Sequence, residues 1–337
     1  MDSVAVLVAF LSSLAIVLVT MPPLIRKMRE GGMVGHDVNK KGRPMVAELG
    51  GIAVLFAFSI SLSLVVGLKK LADFTSEPPY LAAISVFYIA AMVGLIDDIS
   101  NIKQRVKMAA VVFASLPLLL VHYGGAVITF PFGFALNFES THVLYLVYWL
   151  ILVPIGVTGL ANAMNMSAGY NGLESGQIAI VSSAMFAIGI VRGVDEVALV
   201  VFVALAGCAL GLYRFNRYPA KVFVGDIGTL GLGAALASGV VMGHIEFYAL
   251  IAVAPAFYEA VATVYFGLLK KAPHRREACH NPVINADGTL SPPKGAERYT
   301  LAYYLLSKKP MSEGRLVATI LALYLVSCTA AILLSVV

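Results

Sequence analysis

Ten long stretches of this chain contain almost no charged side chains, and they restrict its fold more than any other feature. They cover residues 3–22, 48–68, 80–96, 108–122, 143–161, 177–191, 197–213, 228–243, 246–269 and 316–337. An α-helix rises about 1.5 Å per residue, so stretches of roughly 17–24 residues span most or all of a hydrocarbon layer about 30 Å thick. We therefore predict an all-α polytopic membrane protein of about ten transmembrane helices, forming a single integral-membrane domain over residues 1–337.

The composition agrees with helices in lipid. Charged residues make up only 13% of the chain, and the mean hydropathy is +0.87. A soluble globular domain carries roughly a quarter charged residues. The three cysteines show neither a disulfide pattern nor a metal-ligand spacing. The formal net charge of +5 is not spread over a solvated face, so we expect no binding to nucleic acid.

Lys and Arg are distributed unequally between alternate connections of the predicted helices. Of the 24 Lys and Arg residues, 21 lie in residues 23–47, 97–107, 162–176, 214–227 and 270–315. The opposite set of connections holds only Lys69, Lys70 and Arg192. Cytoplasmic loops of membrane proteins carry the excess of Lys and Arg. We therefore predict that the first set faces the cytoplasm and that both termini lie outside.

One outer connection, residues 126–138, has the alternation of a β-strand. Apolar side chains recur at every second position, namely Ile128, Phe130, Phe132, Phe134, Leu136 and Phe138. Pro131 and Gly133 interrupt the run, as expected for a turn between two short strands. We predict a short external β-hairpin that lies against the membrane.

Two adjacent carboxylates, Asp97 and Asp98, end the third apolar stretch, and Lys107 follows on the same connection. A charge deep in the bilayer costs on the order of 3 kcal/mol, so two acids at the membrane interface need an explanation. One interpretation is a metal-binding or proton-handling pair beside a lysine that binds phosphate. The alternative is an acidic helix cap followed by the usual lysines of a cytoplasmic loop.

The connection 162–176 contains no Lys or Arg, although we place it in the cytoplasm. Its Asn162, Asn165 and Asn171 offer neutral carbonyl and amide groups that suit a hard cation or the edge of a uracil, and Gly169 lets the backbone approach a ligand. A turn rich in Asn and Gly between two helices would explain the same residues without any ligand.

Two further inner connections carry charged side chains of interest. Asp226 precedes a glycine-rich stretch and is either an N-cap or a Mg²⁺ ligand at a helix start, where the dipole also favours phosphate. His274, Arg275 and Arg276 form a compact cationic cluster, suited either to a diphosphate or to lipid headgroups. Glu259 lies mid-stretch, and we leave it outside the predicted site because it could equally be paired inside the bundle.

In this order, the clusters resemble the polyprenyl-phosphate N-acetylhexosamine-1-phosphate transferase family over nearly the whole chain. The resemblance is carried by Asp97-Asp98 with Asn101 and Lys107, by Asn162-Ala-Met-Asn165…Gly169-Tyr-Asn171-Gly-Leu-Glu174, by Phe223-Val-Gly-Asp226 and by the cluster at 274–276. Bacterial members usually carry acids where this chain has Ala168 and Asn171, so it looks closer to the eukaryotic and archaeal UDP-GlcNAc–dolichyl-phosphate GlcNAc-1-phosphotransferases. The His-Arg-Arg run departs from the Arg-His-Arg order usual in that branch.

The resemblance implies three groups of site residues. The catalytic group, which would hold a phosphate and assist the attacking lipid phosphate, consists of Glu48, Asp97, Asp98, Asn101 and Lys107. The substrate-binding group, which would contact uridine, diphosphate and sugar, consists of Asn162, Gly169, Asn171, Phe223, His274, Arg275 and Arg276. The metal group, which would bind Mg²⁺ or its substitute Mn²⁺, consists of Asn165 and Asp226.

The reaction implied by the resemblance is a Mg²⁺-dependent transfer of GlcNAc-1-phosphate from UDP-GlcNAc to a polyprenyl (dolichyl-type) phosphate. It releases UMP and is the first membrane step of N-glycan or related glycolipid assembly. The expected partners are these substrates, membrane lipids and a second copy of the chain in a homodimer. The expected location is the cell membrane of a prokaryote or the ER of a eukaryote, with a cytoplasmic active site.

Two alternatives remain open. The first is a family member that uses undecaprenyl phosphate or another UDP-HexNAc, such as UDP-MurNAc-pentapeptide. The second, from a different class, is a transporter or flippase, although the sequence shows no internal repeat of the kind that transporters carry.

Overall fold

The computed structural model describes residues 3–71, 77–100, 102–122, 125–270, 272 and 281–337. Its helices, in chain order, are α1 (Ser3–Glu30), α2 (Gly51–Leu71), α3 (Glu77–Ser100), α4 (Gln104–Ala110), α5 (Leu116–Val121), α6 (His142–Val147), α7 (Val153–Met166), α8 (Leu173–Arg192), α9 (Glu196–Asn216), α10 (Gly225–Gly243), α11 (Glu246–Ala252), α12 (Ala254–Ala262), α13 (Leu301–Lys308) and α14 (Glu313–Ser335). The chain is thus mainly helical, as the apolar stretches predict.

Within the described residues, eight helices are long and apolar enough to cross a membrane. They are α1, α2, α3, α8, α9, α10, α14 and the composite helix His142–Met166, in which a π-helical segment, Tyr148–Leu152, joins α6 to α7. α11 and the helical residues Ala254–Gly267 form a further apolar pair, bent by 78°, which raises the count to nine if the pair is one span. These features are those of a polytopic membrane protein.

The predicted helix at 108–122 has a different form. The chain there is divided into α4, a 3₁₀-helical segment over Val111–Ser115, and α5. Pro117 lies at the start of α5, where a residue without a backbone N–H is tolerated. This region therefore contributes a segmented helix, in contrast to the eight long spans.

Alternate connections gather at opposite ends of the bundle. At one end, called the site end below, Val222 bridges to Ala47, and the hairpin of β1 (Val34–His36) and β2 (Met45–Ala47) packs beside it. At the opposite end Lys69 pairs with Glu196 and Lys70 with Glu77. The third cation of that end, Arg192, lies over the Tyr248 ring at 5.6 Å.

The β-hairpin predicted over 126–138 is confirmed. β3 (Val127–Thr129) pairs antiparallel with β4 (Ala135–Asn137), and the turn between them contains Phe132 with a φ of 61°. Thr129 Oγ1 donates a hydrogen bond of 2.8 Å to the carbonyl oxygen of His244. This bond attaches the hairpin to the α10–α11 corner, at the end of the bundle opposite the site.

Glycines bring α10 into close contact with its neighbours. A Cβ added at Gly94 on α3 would lie 2.3 Å from the carbonyl carbon and oxygen of Asp226 at the start of α10. A Cβ at Gly51 on α2 would lie 2.4 Å from the backbone of Gly228. Small residues allow helix backbones to approach in this way inside membranes. The tight contact fixes the start of α10, with Asp226, against the end of α3, which carries Asp97 and Asp98.

We predict that Gly94→Ala destabilises the protein because the new methyl group would push α3 away from α10. The measurement is the midpoint of thermal denaturation in detergent, and the midpoint of Gly94→Ala should fall by several degrees. The control is Gly67→Ala, another helical glycine, whose added Cβ would meet nothing within 4 Å. Alanine favours a helix over glycine by about 1 kcal/mol, so the control midpoint should stay or rise. Equal midpoints for the two variants would contradict the packing.

Candidate active site at one end of the bundle

A cavity of about 780 Å³ opens at the site end. Small-molecule sites in proteins typically measure about 300–1,000 Å³, so the cavity is large enough for a nucleotide-sized ligand. Its described lining comes from residues 36–39, 48–49, 97–98, 107, 165–166, 168–171, 174, 216, 223–226 and 229, and from three residues beyond 258, one of which is Thr300. All five connections predicted to share one face contribute to it, together with the ends of the helices they join.

Lys107 joins two carboxylates from separate helices on the cavity wall. Its Nζ donates a hydrogen bond of 2.7 Å to Asp97 Oδ2 and also contacts Asp226 Oδ2. The side chains of Lys107 and Asp97 are 5% and 8% exposed, and that of Asp226 is 26% exposed. Burial opposes the charged ammonium, but Asp226 and Asp97 outweigh it and raise the pKa of Lys107 above its usual value. Lys107 therefore remains a cation at neutral pH.

Asn165 holds the other oxygen of Asp226. Its Nδ2 donates hydrogen bonds of 2.8 Å to Asp226 Oδ1 and of 2.8 Å to Thr229 Oγ1. Asn165 lies at the end of α7, whereas Asp226 and Thr229 lie in the first turn of α10. The carboxylate of Asp226 is thus oriented from both sides by Lys107 and Asn165, at the point where α10 begins.

Asp98 has a different set of contacts from its neighbour. Its Oδ1 accepts a hydrogen bond of 2.9 Å from the backbone N–H of Asp226, and its Oδ2 accepts one of 3.0 Å from that of Ile227. A carboxylate that satisfies unpaired N–H groups at a helix start stabilises the helix and complements its dipole. The two acids therefore have different surroundings: Asp98 caps the start of α10, while Asp97 faces Lys107.

Three further predicted residues line the same cavity. Gly169 has a φ of 117°, which only glycine adopts readily, and its N–H donates to Glu174 Oε1 at 2.9 Å. The backbone of Phe223 donates to Ala47 at 2.7 Å, which fixes the position of this aromatic residue at the cavity wall. Glu48, next to Ala47, lies on the same wall.

Asn171 also lines the cavity, but its side chain is largely occupied by the protein. It is 4% exposed, and its Oδ1 accepts hydrogen bonds from Lys40 Nζ at 2.7 Å and from the backbone N–H of Ala220 at 2.8 Å. Its Nδ2 donates to Asp37 Oδ2 at 3.1 Å. Asn171 therefore connects the cavity to a second polar cluster that adjoins it.

Asn162 is not brought to the cavity, contrary to the prediction for it. It is 5% exposed, and its Nδ2 donates a hydrogen bond of 2.8 Å to the carbonyl oxygen of Thr158 one turn earlier in α7. Three residues of helix place Asn162 about 4.5 Å deeper in the bundle than Asn165. The remaining predicted residues, Asn101, His274, Arg275 and Arg276, lie outside the described residues.

Several lining residues are absent from the predicted site. Glu259 is 5% exposed, lines the cavity, and its Oε1 accepts a hydrogen bond of 2.7 Å from the backbone N–H of Leu301. The sequence indicates this position of Glu259 through its place in the middle of an apolar stretch, because an ionisable side chain there usually faces a bundle interior or a cavity. Asp37, Asn39 and Thr229 also line the cavity, and nothing in their local sequence distinguishes them from turn or helix-start residues.

The residues present suit a hard cation only when a ligand supplies further oxygens. No group of three or more His, Cys, Asp or Glu side chains within the described residues is placed to hold a metal. Mg²⁺ commonly keeps several waters and binds through one or two carboxylates together with substrate phosphates. Asp226 and Asn165 both line the cavity and fit this mode of binding by their chemistry: Asp226 offers a carboxylate, and Asn165, whose Nδ2 faces Asp226, offers an amide oxygen.

Comparison with known proteins identifies the family. The glycosyl transferase family 4 profile matches residues 80–244. A Saccharolobus solfataricus protein named "Putative UDP-N-acetylglucosamine--dolichyl-phosphate N-acetylglucosaminephosphotransferase" is 33% identical over 79% of this chain and 76% of its own length. The chain belongs to the polyprenyl-phosphate N-acetylhexosamine-1-phosphate transferase family. The resemblance inferred from its motifs is confirmed.

Two other family members extend the comparison. A Sulfolobus acidocaldarius protein with the same printed name is 31% identical over 71% of this chain and 72% of its own length. A Streptococcus pneumoniae phospho-N-acetylmuramoyl-pentapeptide-transferase is 28% identical over 69% of this chain and 72% of its own. The similarity thus includes relatives whose names specify different sugars.

We predict that Asp98→Ala lowers both stability and transferase activity. Loss of a capping carboxylate costs about 1 kcal/mol, and the start of α10 that carries Asp226 would lose two of its backbone contacts. The matched control is Asp195→Ala, because Asp195 precedes α9 at the opposite end without making a side-chain capping bond. The thermal midpoint and the transfer rate of both variants are the measurements. If Asp98→Ala behaved like Asp195→Ala, the capping role would be wrong.

Proposed function

We propose that this protein transfers GlcNAc-1-phosphate from UDP-GlcNAc to a polyprenyl phosphate of the dolichyl type. An oxygen of the lipid phosphate forms a bond to the β-phosphorus of UDP-GlcNAc, and the bond from that phosphorus to the bridging oxygen breaks. UMP leaves, and the product is a polyprenyl diphosphate that carries GlcNAc. The names of the two archaeal relatives support this choice of donor and acceptor.

The observation that carries the proposal is the cluster of Asp97, Lys107, Asn165 and Asp226 on one cavity wall. The acceptor is anchored in the membrane by its isoprenoid chain, whereas the donor is water-soluble. The two can meet only at a membrane interface, and this cluster lies where several apolar spans end. Because the acceptor is already anchored, less translational and rotational entropy is lost when the two substrates meet.

The charge of the cavity supports a requirement for divalent cations. Its described lining includes seven carboxylates but only one Lys and one His as basic side chains; these residues are Asp37, Glu48, Asp97, Asp98, Glu174, Asp226, Glu259, Lys107 and His36. A diphosphate would be repelled by such a surface unless a cation were bound with it. We propose that Asp226 and Asn165 hold Mg²⁺, or Mn²⁺ in its place. The ion would neutralise the diphosphate and stabilise the leaving UMP.

The remaining roles belong to the chain's own side chains. Lys107 holds a phosphate, Asp97 orients the lipid phosphate beside it, and Phe223 stacks on uracil close to Gly169. We favour direct in-line attack, because Asp97 already accepts a hydrogen bond from Lys107 and serves better as an orienting group than as a nucleophile. His274, Arg275 and Arg276 complete the proposed site as donors to the diphosphate and the sugar.

Orientation and assembly are part of the same proposal. The site end faces the cytoplasm, both termini lie outside, and the protein works as a homodimer among membrane lipids, in a cell membrane or in the ER. The excess of Lys and Arg in the connections of the site end supports this orientation.

A second candidate within the family uses undecaprenyl phosphate and UDP-MurNAc-pentapeptide. The printed name of the Streptococcus pneumoniae relative favours it, at lower identity than the archaeal relatives. A transporter or flippase is the more distant alternative, and family membership argues against it. Competition between the two UDP-sugars for the purified protein distinguishes the two transferase candidates.

We predict that the purified protein releases UMP from UDP-GlcNAc only when a polyprenyl phosphate and Mg²⁺ are both present. Asp226→Ala should lower the rate by a factor of about 100 or more, because a transition-state charge would lose its counterion. Asp195→Ala, an exposed acid at the opposite end, is the control and should keep the normal rate.

Three outcomes would contradict the proposal. UMP release without a lipid phosphate would indicate hydrolysis, and a normal rate in Asp226→Ala would exclude that residue from the metal site. A phospho-enzyme that turns over at the catalytic rate would replace in-line attack with a covalent route.

A further inference from the structure

A second buried charge cluster adjoins the cavity, with Asp37 and Asn171 on its lining, and joins four segments of the site end. Lys40 Nζ contacts Asp37 Oδ2 and donates hydrogen bonds of 2.8 Å to Glu313 Oε2 and 2.7 Å to Asn171 Oδ1. It also lies 4.8 Å from the centre of the Tyr218 ring. The cluster therefore joins the connection between α1 and α2 to the 167–172 loop, to Tyr218 in the connection between α9 and α10, and to the first turn of α14.

The charges in this cluster are nearly removed from solvent. The side chains of Asp37 and Glu313 are 2% and 3% exposed, and that of Lys40 is 15% exposed. One cation thus serves two buried carboxylates. A buried charge left without its partner is strongly unfavourable, so each member depends on the others for its position. Such a cluster has only one well-satisfied arrangement.

The cluster determines which way the amide of Asn171 points. Its Oδ1 receives two donors, Lys40 Nζ and the backbone N–H of Ala220, so this atom has to be the oxygen and not the nitrogen. Its Nδ2 donates to Asp37 and keeps a second N–H beyond that bond. The backbone N–H of Asn171 donates to Glu313 Oε1 at 2.8 Å. Lys40 therefore shares the orientation of the amide with Ala220 and Asp37, and Glu313 holds the backbone of Asn171.

The connection between α1 and α2 also holds the 167–172 loop, which carries Asn171. Asn39 Nδ2 donates a hydrogen bond of 2.7 Å to the carbonyl oxygen of Gly169. Gly169, Tyr170 and Asn171 all line the cavity, whereas Lys40 and Glu313 are absent from its described lining. Lys40 and Glu313 thus affect a ligand through the residues that they hold at the cavity wall, namely the loop and Asp37.

We propose that Lys40 and Glu313 are positioning residues that fix the 167–172 loop, and the amide of Asn171 in particular, for the nucleotide end of the donor. The inference rests on the proposed function for the identity of that donor. Lys40 supplies the charged one of the two donors that orient the amide, and Glu313 accepts the hydrogen bond that anchors its backbone. Neither residue contacts the nucleotide.

The test is a double-mutant cycle with two readouts. Lys40→Met leaves Asp37 and Glu313 without a cation, and Glu313→Gln keeps an acceptor for the backbone of Asn171 while removing one carboxylate. The double variant Lys40→Met/Glu313→Gln restores the local net charge of the native cluster. The readouts are the midpoint of thermal denaturation in detergent and the affinity for UDP-GlcNAc with Mg²⁺, measured by calorimetry.

The thermal midpoint and the affinity for UDP-GlcNAc should respond differently to the double substitution. Lys40→Met should lower the midpoint, and the double variant should regain part of that loss, because only one of the two buried carboxylates is then left without a cation. The affinity of the double variant for UDP-GlcNAc should nevertheless remain about tenfold weaker than that of the native protein, because the Asn171 amide has then lost the charged donor of the two that hold its Oδ1. Lys308→Met, which removes an exposed lysine near the same end, is the control and should change neither readout.

Each other outcome overturns the proposal. If affinity recovers together with the midpoint, the cluster is merely structural; if Lys40→Met binds normally, Lys40 does not position the loop. If Lys40→Met does not purify, the double variant decides, and its normal affinity would refute the orienting role. A native protein that binds no UDP-GlcNAc would instead refute the proposed function, while the midpoints would still test the coupling between Lys40 and Glu313.

Discussion

The ion cluster of Lys107 with Asp97 and Asp226 is the interaction on which the rest of the site depends. Each of the three side chains comes from a different part of the chain, and each would be costly at the edge of an apolar bundle without the others. Their mutual attraction offsets that cost only in one geometry. The cluster therefore fixes where the end of α3, the short helix α4 and the start of α10 meet.

Close backbone packing supports this electrostatic arrangement. Gly94 lets the backbone of α3 approach the first turn of α10, and the neighbouring Asp98 caps the N–H groups that this approach brings within reach. Asp226 therefore lies at a helix start that is held by packing on one side and by a carboxylate on the other. The proposed binding of two anionic phosphates requires this rigidity, because small shifts in charge positions weaken electrostatic stabilisation.

Much of the architecture could be predicted from sequence because membrane spans need long apolar stretches. The same constraint, with the alternation of loops, brings Asn165 and Asp226 to one end. The different contacts of Asp97 and Asp98 are harder to predict from the sequence. Neighbouring residues on a helix point about 100° apart, so Asp97 meets Lys107 and Asp98 meets the start of α10. The lining position of Glu259 depends on the 78° bend between α11 and the helical residues that follow, and the run 246–269 gives no sign of its direction.

We propose that a divalent cation and a diphosphate bind together at the wall formed by Asp97, Lys107, Asn165 and Asp226. A crystal structure with UDP-GlcNAc and Mn²⁺, in which anomalous scattering locates the ion, would test this binding. We expect one anomalous peak in contact with the carboxylate of Asp226 and with the diphosphate, in the cavity beside Lys107. A peak elsewhere, or a nucleotide bound without an ion at Asp226, would contradict it.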